Sequence, residues 1–75
     1  MKKYAVFTNT MPGFDAVGMV AHRYDGLVKF RTSREAFAAA HRRNWSVDGG
    51  DCQCVAKRIG GRWIVVHQFP VVYAD

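Results

Sequence analysis

Cysteine and histidine are the residues of this chain whose types could bind a metal ion or supply a nucleophile. Cys52 and Cys54 are one residue apart, and alternate residues of a β-strand point to the same face, so both thiols could reach one ion. Zinc would need two further ligands, and the available imidazoles belong to His22, His41 and His67. No second pair of ligands at metal-binding spacing is present, however, and free cysteine commonly packs in cores as a small hydrophobe. We therefore expect two core cysteines, with no bound metal and no cofactor.

Motifs typical of catalysis are missing from the sequence. The three histidines are scattered, and the chain has no G-x-S-x-G, H-E-x-x-H or phosphate-binding loop motif. A cysteine–histidine pair could act as nucleophile and base, but nothing indicates a third catalytic group or an oxyanion site. The six acidic residues fall mostly in predicted turns, caps and termini, where they have structural roles. The sequence thus predicts that the protein is not an enzyme.

Positive charge is the strongest functional signal in the composition. Eleven Lys and Arg residues against six Asp and Glu residues give a net charge of +5. A small basic domain attracts polyanions, such as nucleic acid, an anionic membrane or an acidic protein surface. Solubility alone could also explain the charge, since small soluble domains often carry a net charge of about 2 to 8. Both explanations stay open.

The apolar runs and the cysteine count indicate the compartment. No apolar run approaches the roughly 18 residues needed to cross a bilayer. Asn9, Pro12 and Gly13 interrupt the segment that follows the basic first residues, which argues against a secretory signal. Small secreted domains usually carry more cysteines than the two found here. We expect a cytoplasmic protein with no membrane partner.

Two glycine-containing turns and one helix cap predict the elements. Residues 3–8 are rich in strand-forming side chains. Asp25-Gly26 predicts a two-residue hairpin between residues 17–24 and 27–32, and Gly60-Gly61 predicts another between residues 52–59 and 62–69. Thr32 and Glu35 have the spacing of a capping box, which predicts a helix from about residue 33 to residue 43 or 44. Its expected buried arc is Ala36, Phe37, Ala39 and Ala40.

This element order predicts an α+β fold. Residues 1–75 are expected to form one domain with the order β-β-β-α-β-β, in which one helix packs across an antiparallel sheet of four to five strands. In the second hairpin both faces are apolar. We expect the core on the face that holds the largest rings and the cysteines, and the register places His67 opposite Cys54 on it. That face consists of Cys52, Cys54, Ala56, Trp63, Val65 and Phe69.

The register of the first hairpin predicts a partner-binding surface. Ala21, Val28 and Phe30 fall on its core side. Its outer face then carries cations beside an aromatic ring, a combination that suits single-stranded nucleic acid or an acidic partner. The predicted site residues are Tyr24, Lys29 and Arg31, supported by His22 and Arg23. An alternative surface is the helix edge with the loop after it, which holds Arg34, His41, Arg42 and Trp45.

In size, charge and element order the chain resembles the small phage-encoded inhibitors of CRISPR–Cas systems, the anti-CRISPR proteins. The resemblance implies a non-enzymatic protein that binds and blocks a host CRISPR–Cas effector in the host cytoplasm, as a monomer or homodimer. A protein of charge +5 would be repelled by a basic DNA channel, so its expected partner is an acidic surface of the host complex, with or without the nucleic acid bound there. The alternative function is that of a small DNA- or RNA-binding accessory protein.

Overall fold

The structure, a computed structural model, describes residues 1–9, 15–21, 27–44 and 52–70. These residues form one helix packed on a four-stranded antiparallel sheet whose strand order is β2-β1-β3-β4. The predicted α+β class is confirmed. The strands are β1 (Tyr4–Asn9), β2 (Val28–Phe30), β3 (Cys52–Ile59) and β4 (Arg62–Gln68), and the helix α1 (Ser33–Arg43) lies between β2 and β3 in the chain.

The helix begins and ends at the predicted positions. Thr32 has extended backbone angles, its hydroxyl oxygen accepts a hydrogen bond from the Glu35 amide at 3.2 Å, and its hydroxyl donates to the Glu35 carboxylate at 3.0 Å. At the other end, the Asn44 amide donates to the carbonyl of His41. Within the described ranges no helix has the length and apolarity to cross a membrane.

The helix covers one face of the two central strands. Val6 and Val55, which pair with each other in β1 and β3, pack against Ala36 and Ala40. Alanine side chains let the helix approach the sheet closely, which explains an apolar arc of such small residues. The predicted arc is confirmed, with Phe37 half-buried at its edge. The partly buried side chains around this core are Tyr4, Phe30, Phe37 and Phe69.

The opposite face of the sheet is also buried. Ala16 and Ala21 close over it, together with the partly buried Leu27. The expected core face of the second hairpin is buried, but the core is not confined to it, because Val55 of the other face packs against the helix. The sheet residues on this second face are Ala5, Phe7, Cys54, Ala56, Trp63 and Val65.

The predicted first hairpin is wrong in the part that the structure describes. Val20 bridges to Ile64 beside β4, whereas Lys29 pairs with Ala5 of β1 at the other edge of the sheet. Gly18 interrupts the predicted strand, because its positive φ of 87° is incompatible with an extended chain. The turn Asp25-Gly26 lies outside the described residues.

The second hairpin forms as predicted but contains an irregularity. Gly60 and Gly61 have φ values of 58° and 77°, as a tight two-residue turn requires. Counted from the turn, β3 and β4 pair regularly as far as Ala56, and the register then shifts by one residue between Ala56 and Val55. This β-bulge places His67 opposite Val55, on the helix side of the sheet. The predicted pairing of His67 with Cys54 is therefore wrong, and Phe69 also packs on the helix side.

Candidate functional site

The residues predicted for the first-hairpin site are only partly described. Lys29 and Arg31 are both exposed. Lys29 pairs with Ala5 and so lies on the sheet face opposite the helix. The other three members of that predicted site, His22, Arg23 and Tyr24, lie outside the described residues.

The described residues of the alternative site on the helix edge extend along the length of α1. Arg34 is in the first turn of α1, whereas His41 and Arg42 are in its last turn, about 11 Å further along the helix axis. All three side chains are exposed. His41 contacts the ring of Phe69, with 6.2 Å between the ring centroids. Trp45 lies outside the described residues.

A larger concentration of positive charge lies at one end of the sheet. At this end β1 begins, β2 and β3 end, β4 begins, and the first turn of α1 follows directly after β2. The strand ends thus bring together cations from distant parts of the sequence. We call this surface the basic end, and it contains at least seven of the eleven Lys and Arg residues. Its members are Lys2, Lys3, Arg31, Arg34, Lys57, Arg58 and Arg62.

Three of these cations occupy neighbouring strands. Arg58 donates its amide hydrogen to the carbonyl of Lys3 at 2.8 Å, so the two residues face each other across β1 and β3. Arg31 follows Phe30, which pairs with Tyr4, and it therefore lies on the other side of Lys3. The Cα atoms of such cross-strand partners are about 5.5 Å apart. Like charges in these positions destabilise a sheet.

The described carboxylates do not neutralise the basic end. They belong to Asp15 and Glu35. Asp15 accepts a hydrogen bond from the Val17 amide, and Glu35 accepts one from the Thr32 hydroxyl. Arg34 also lies in the first turn of α1, where the helix dipole disfavours a cation. Within the described part of the chain, Glu35 in that same turn is the one carboxylate at the basic end, and a single negative charge cannot offset seven cations.

Aromatic rings hold two of the cations in place. The guanidinium of Arg58 lies over the ring of Trp63 at 5.3 Å, and the ammonium of Lys57 lies over the ring of Tyr4 at 5.9 Å. Contacts of this kind are attractive because the face of an aromatic ring is electronegative. Trp63 belongs to the core face opposite the helix, and Tyr4 packs on the helix side. The basic end therefore presents cations on both faces of the sheet.

The two cysteines are buried and not disulfide-bonded. Burial, followed by the neighbouring Cys52 and then by Asp15, raises the pKa of the Cys54 thiol to about 12. The Cys54 thiol donates to the side-chain oxygen of Gln68 at 3.6 Å. Among the described residues, no three His, Cys, Asp or Glu side chains are grouped so that they could hold a metal ion.

Part of the basic end had a detectable signal in the sequence. Lys57, Arg58 and Arg62 flank the predicted turn Gly60-Gly61, so the hairpin alone brings these three together. Lys3 joins them only through the pairing of β1 with β3, which no local pattern specifies. The local sequence pattern instead favours the cations beside Asp25-Gly26.

Comparison with known proteins gave no match: no family model, no curated protein and no solved structure is similar to this chain. The arrangement of charge at the basic end is therefore the observation from which a function can be inferred.

Proposed function

We propose that this protein is a non-enzymatic binding protein that contacts nucleic acid through its basic end. The observation that carries the proposal is the convergence of seven cations on one end of the sheet, where Glu35 is the one carboxylate among the described residues. Neighbouring like charges cost stability in the free protein. Phosphate groups would remove that cost and would release counterions, which is the main source of affinity in nucleic-acid binding.

The aromatic residues of the basic end favour nucleic acid over an acidic protein surface. Protein interfaces are usually anchored by Trp, Tyr or Arg side chains that insert into pockets of the partner. Trp63 is instead buried in the core, and Tyr4 is half-buried and lies beneath Lys57. What this surface mainly offers to a partner is positive charge.

The nucleic acid has two possible sources. It could be free DNA or RNA, as for a small accessory protein. It could also be held within a host complex such as a CRISPR–Cas effector, as the resemblance to anti-CRISPR proteins suggests. Phosphate recognition is common to both sources, so the same surface would serve in either case.

A pair of charge-matched variants tests the proposed surface. Lys3→Gln with Arg58→Gln removes two cations from the basic end, whereas Arg42→Gln with Arg43→Gln removes two exposed cations from the end of the helix. We expect the first variant to bind labelled single- or double-stranded oligonucleotides more than about tenfold more weakly. The slope of the logarithm of its affinity against the logarithm of the salt concentration should fall by the equivalent of about two phosphate contacts. We expect the control to change the affinity less than about threefold.

Two other results would contradict this assignment. If both double variants lost affinity for the oligonucleotides equally, the binding would depend on the net charge of the protein alone. A loss confined to Lys29→Gln would identify the predicted first-hairpin face as the site. Fluorescence anisotropy at several salt concentrations measures all three variants, and circular dichroism checks that each one is folded.

A pull-down from cells that express a CRISPR–Cas effector distinguishes the two sources. Nucleic acid recovered without a defined protein complex supports the accessory function. A defined complex that the basic-end variant fails to capture supports the inhibitor function. A protein complex retained after nuclease treatment, by a chain that binds no free oligonucleotide, would contradict the proposal and indicate an acidic protein surface.

A further inference from the structure

We infer that the basic end recognises the sugar-phosphate backbone and not the bases, so that its binding is independent of sequence. This inference rests on the proposed function and specifies its ligand.

The two aromatic rings that lie beneath cations of the basic end, Tyr4 and Trp63, are already engaged. Stacking of bases requires an accessible ring face. Trp63 is only 9% exposed, packs in the core face opposite the helix, and lies beneath the guanidinium of Arg58. Tyr4 packs against the helix-side core and lies beneath the ammonium of Lys57. Both rings thus support cations, and a base would have to displace these cations in order to stack.

The most distal part of the second hairpin is also poorly suited to reading base edges. A two-stranded ribbon can enter the major groove, but it reads sequence through side chains that reach the bases. The turn of this ribbon consists of Gly60 and Gly61, which have no side chains to do so. The residues next to the turn are Ile59 and Arg62, which form a cross-strand pair. Of these two side chains, that of Arg62 can form hydrogen bonds.

The cations themselves are arranged for phosphate contacts. Lys57 and Arg58 are successive strand residues, so they project to opposite faces of the sheet. Their positions over aromatic rings reduce the conformational entropy that binding would otherwise remove. Lys3 and Arg31 extend the same surface across the neighbouring strands. Several phosphates of one backbone can therefore be contacted whatever bases the backbone carries.

Three chains with equal numbers of phosphates test this inference: oligo-dT, oligo-dA and an abasic deoxyribose-phosphate chain, each of about twenty units. We expect their dissociation constants to agree within about threefold at one salt concentration. Arg58→Gln should weaken binding to all three by the same factor. A matched Arg42→Gln variant controls for the loss of one charge.

The outcomes separate the inference from the proposed function. If the abasic chain binds more than about tenfold more weakly than both oligonucleotides, the bases are recognised and the inference is wrong while the proposed function stands. A difference of that size between oligo-dT and oligo-dA leads to the same conclusion. If none of the three chains binds, the proposed function itself is wrong.

Discussion

At the scale of single residues, burial determines the chemistry of Cys54. Its side chain has no solvent exposure, and the side-chain oxygen of Gln68 accepts hydrogen bonds from the Cys54 thiol, from the Asn9 side chain and from the Ala16 amide. Desolvation is the main reason that the pKa of Cys54 is raised from 9.0 to about 12. A thiol in this environment is a poor nucleophile and a poor metal ligand, because both roles require the thiolate.

The raised pKa of Cys54 predicts a loss of stability at alkaline pH. Because the folded pKa of about 12 exceeds the unfolded value of 9.0, the stabilisation is fully present below pH 9 and is lost as the pH rises toward 12. We expect the free energy of unfolding, measured with urea between pH 8 and pH 11, to fall less steeply in Cys54→Ala than in the parent chain. Parallel curves for the two proteins would show that Cys54 does not contribute to this pH dependence.

At the scale of elements, Asn44 joins the end of the helix to two strands. Its side-chain oxygen accepts a hydrogen bond from the Gln53 amide at 2.8 Å, and its side-chain nitrogen donates to the Pro70 carbonyl at 2.7 Å. Asn44 is buried, so water cannot replace these bonds without a change in structure. One side chain therefore fixes the position of the C-terminal end of α1 relative to β3 and to the residues after β4.

Removing the Asn44 side chain should destabilise the fold. In Asn44→Ala the amide of Gln53 and the carbonyl of Pro70 lose these partners, and we expect a cost of about 2 kcal/mol in the free energy of unfolding. Asn44→Asp keeps the acceptor for Gln53 but places a buried carboxylate against the Pro70 carbonyl and at the end of the helix, so at neutral pH we expect it to be at least as destabilised as Asn44→Ala. Urea denaturation measures both changes. An Asn44→Ala variant as stable as the parent chain would show that neither bond contributes.

The elements with strong local signals were those that the sequence predicted correctly. The helix start is specified by a four-residue signal, Thr32 to Glu35. The second hairpin is specified by a two-residue signal, Gly60-Gly61. The strand predicted before Asp25-Gly26 failed because Gly18 breaks it and its residues pair with β4 instead. The bulge at Val55 was not predictable either, since a one-residue shift depends on how both faces of the sheet are packed.

At the scale of the whole molecule, long-range strand pairing creates the basic end. The pairing of β1 with β3 places Lys3 beside Arg58, and the pairing of β1 with β2 adds Arg31. Neither pairing is specified by a turn, because the two strands of each pair are not joined by a short loop. The sequence therefore predicts a basic chain with exposed cations, but no local pattern specifies that seven of them lie together at one end of the sheet.

The crowded cations predict a conflict between stability and binding. Lys3→Gln should raise the free energy of unfolding at low salt by about 0.2–1 kcal/mol, because it removes a like-charge neighbour of Arg58. The gain should disappear at about 1 M salt, where such repulsion is screened. Arg42→Gln removes the same charge from the last turn of the helix, where a cation is favourable, and should lower stability. Urea denaturation at both salt concentrations provides the comparison, and a destabilised Lys3→Gln variant would contradict the expected repulsion.

The central position of β1 also has a consequence for the order in which the chain folds. β1 comes first among the four strands along the chain, yet its neighbour over its full length is β3, with Cys52 and Asn9 paired at a distance of 43 positions. Contacts between such distant segments form slowly, whereas a hairpin such as β3 and β4 closes quickly. During synthesis, β1 is made before the strand that will cover it. We therefore expect its apolar residues Val6 and Phe7 to stay unprotected until the second hairpin has been made, which makes β1 the segment of the nascent chain that most needs protection from aggregation.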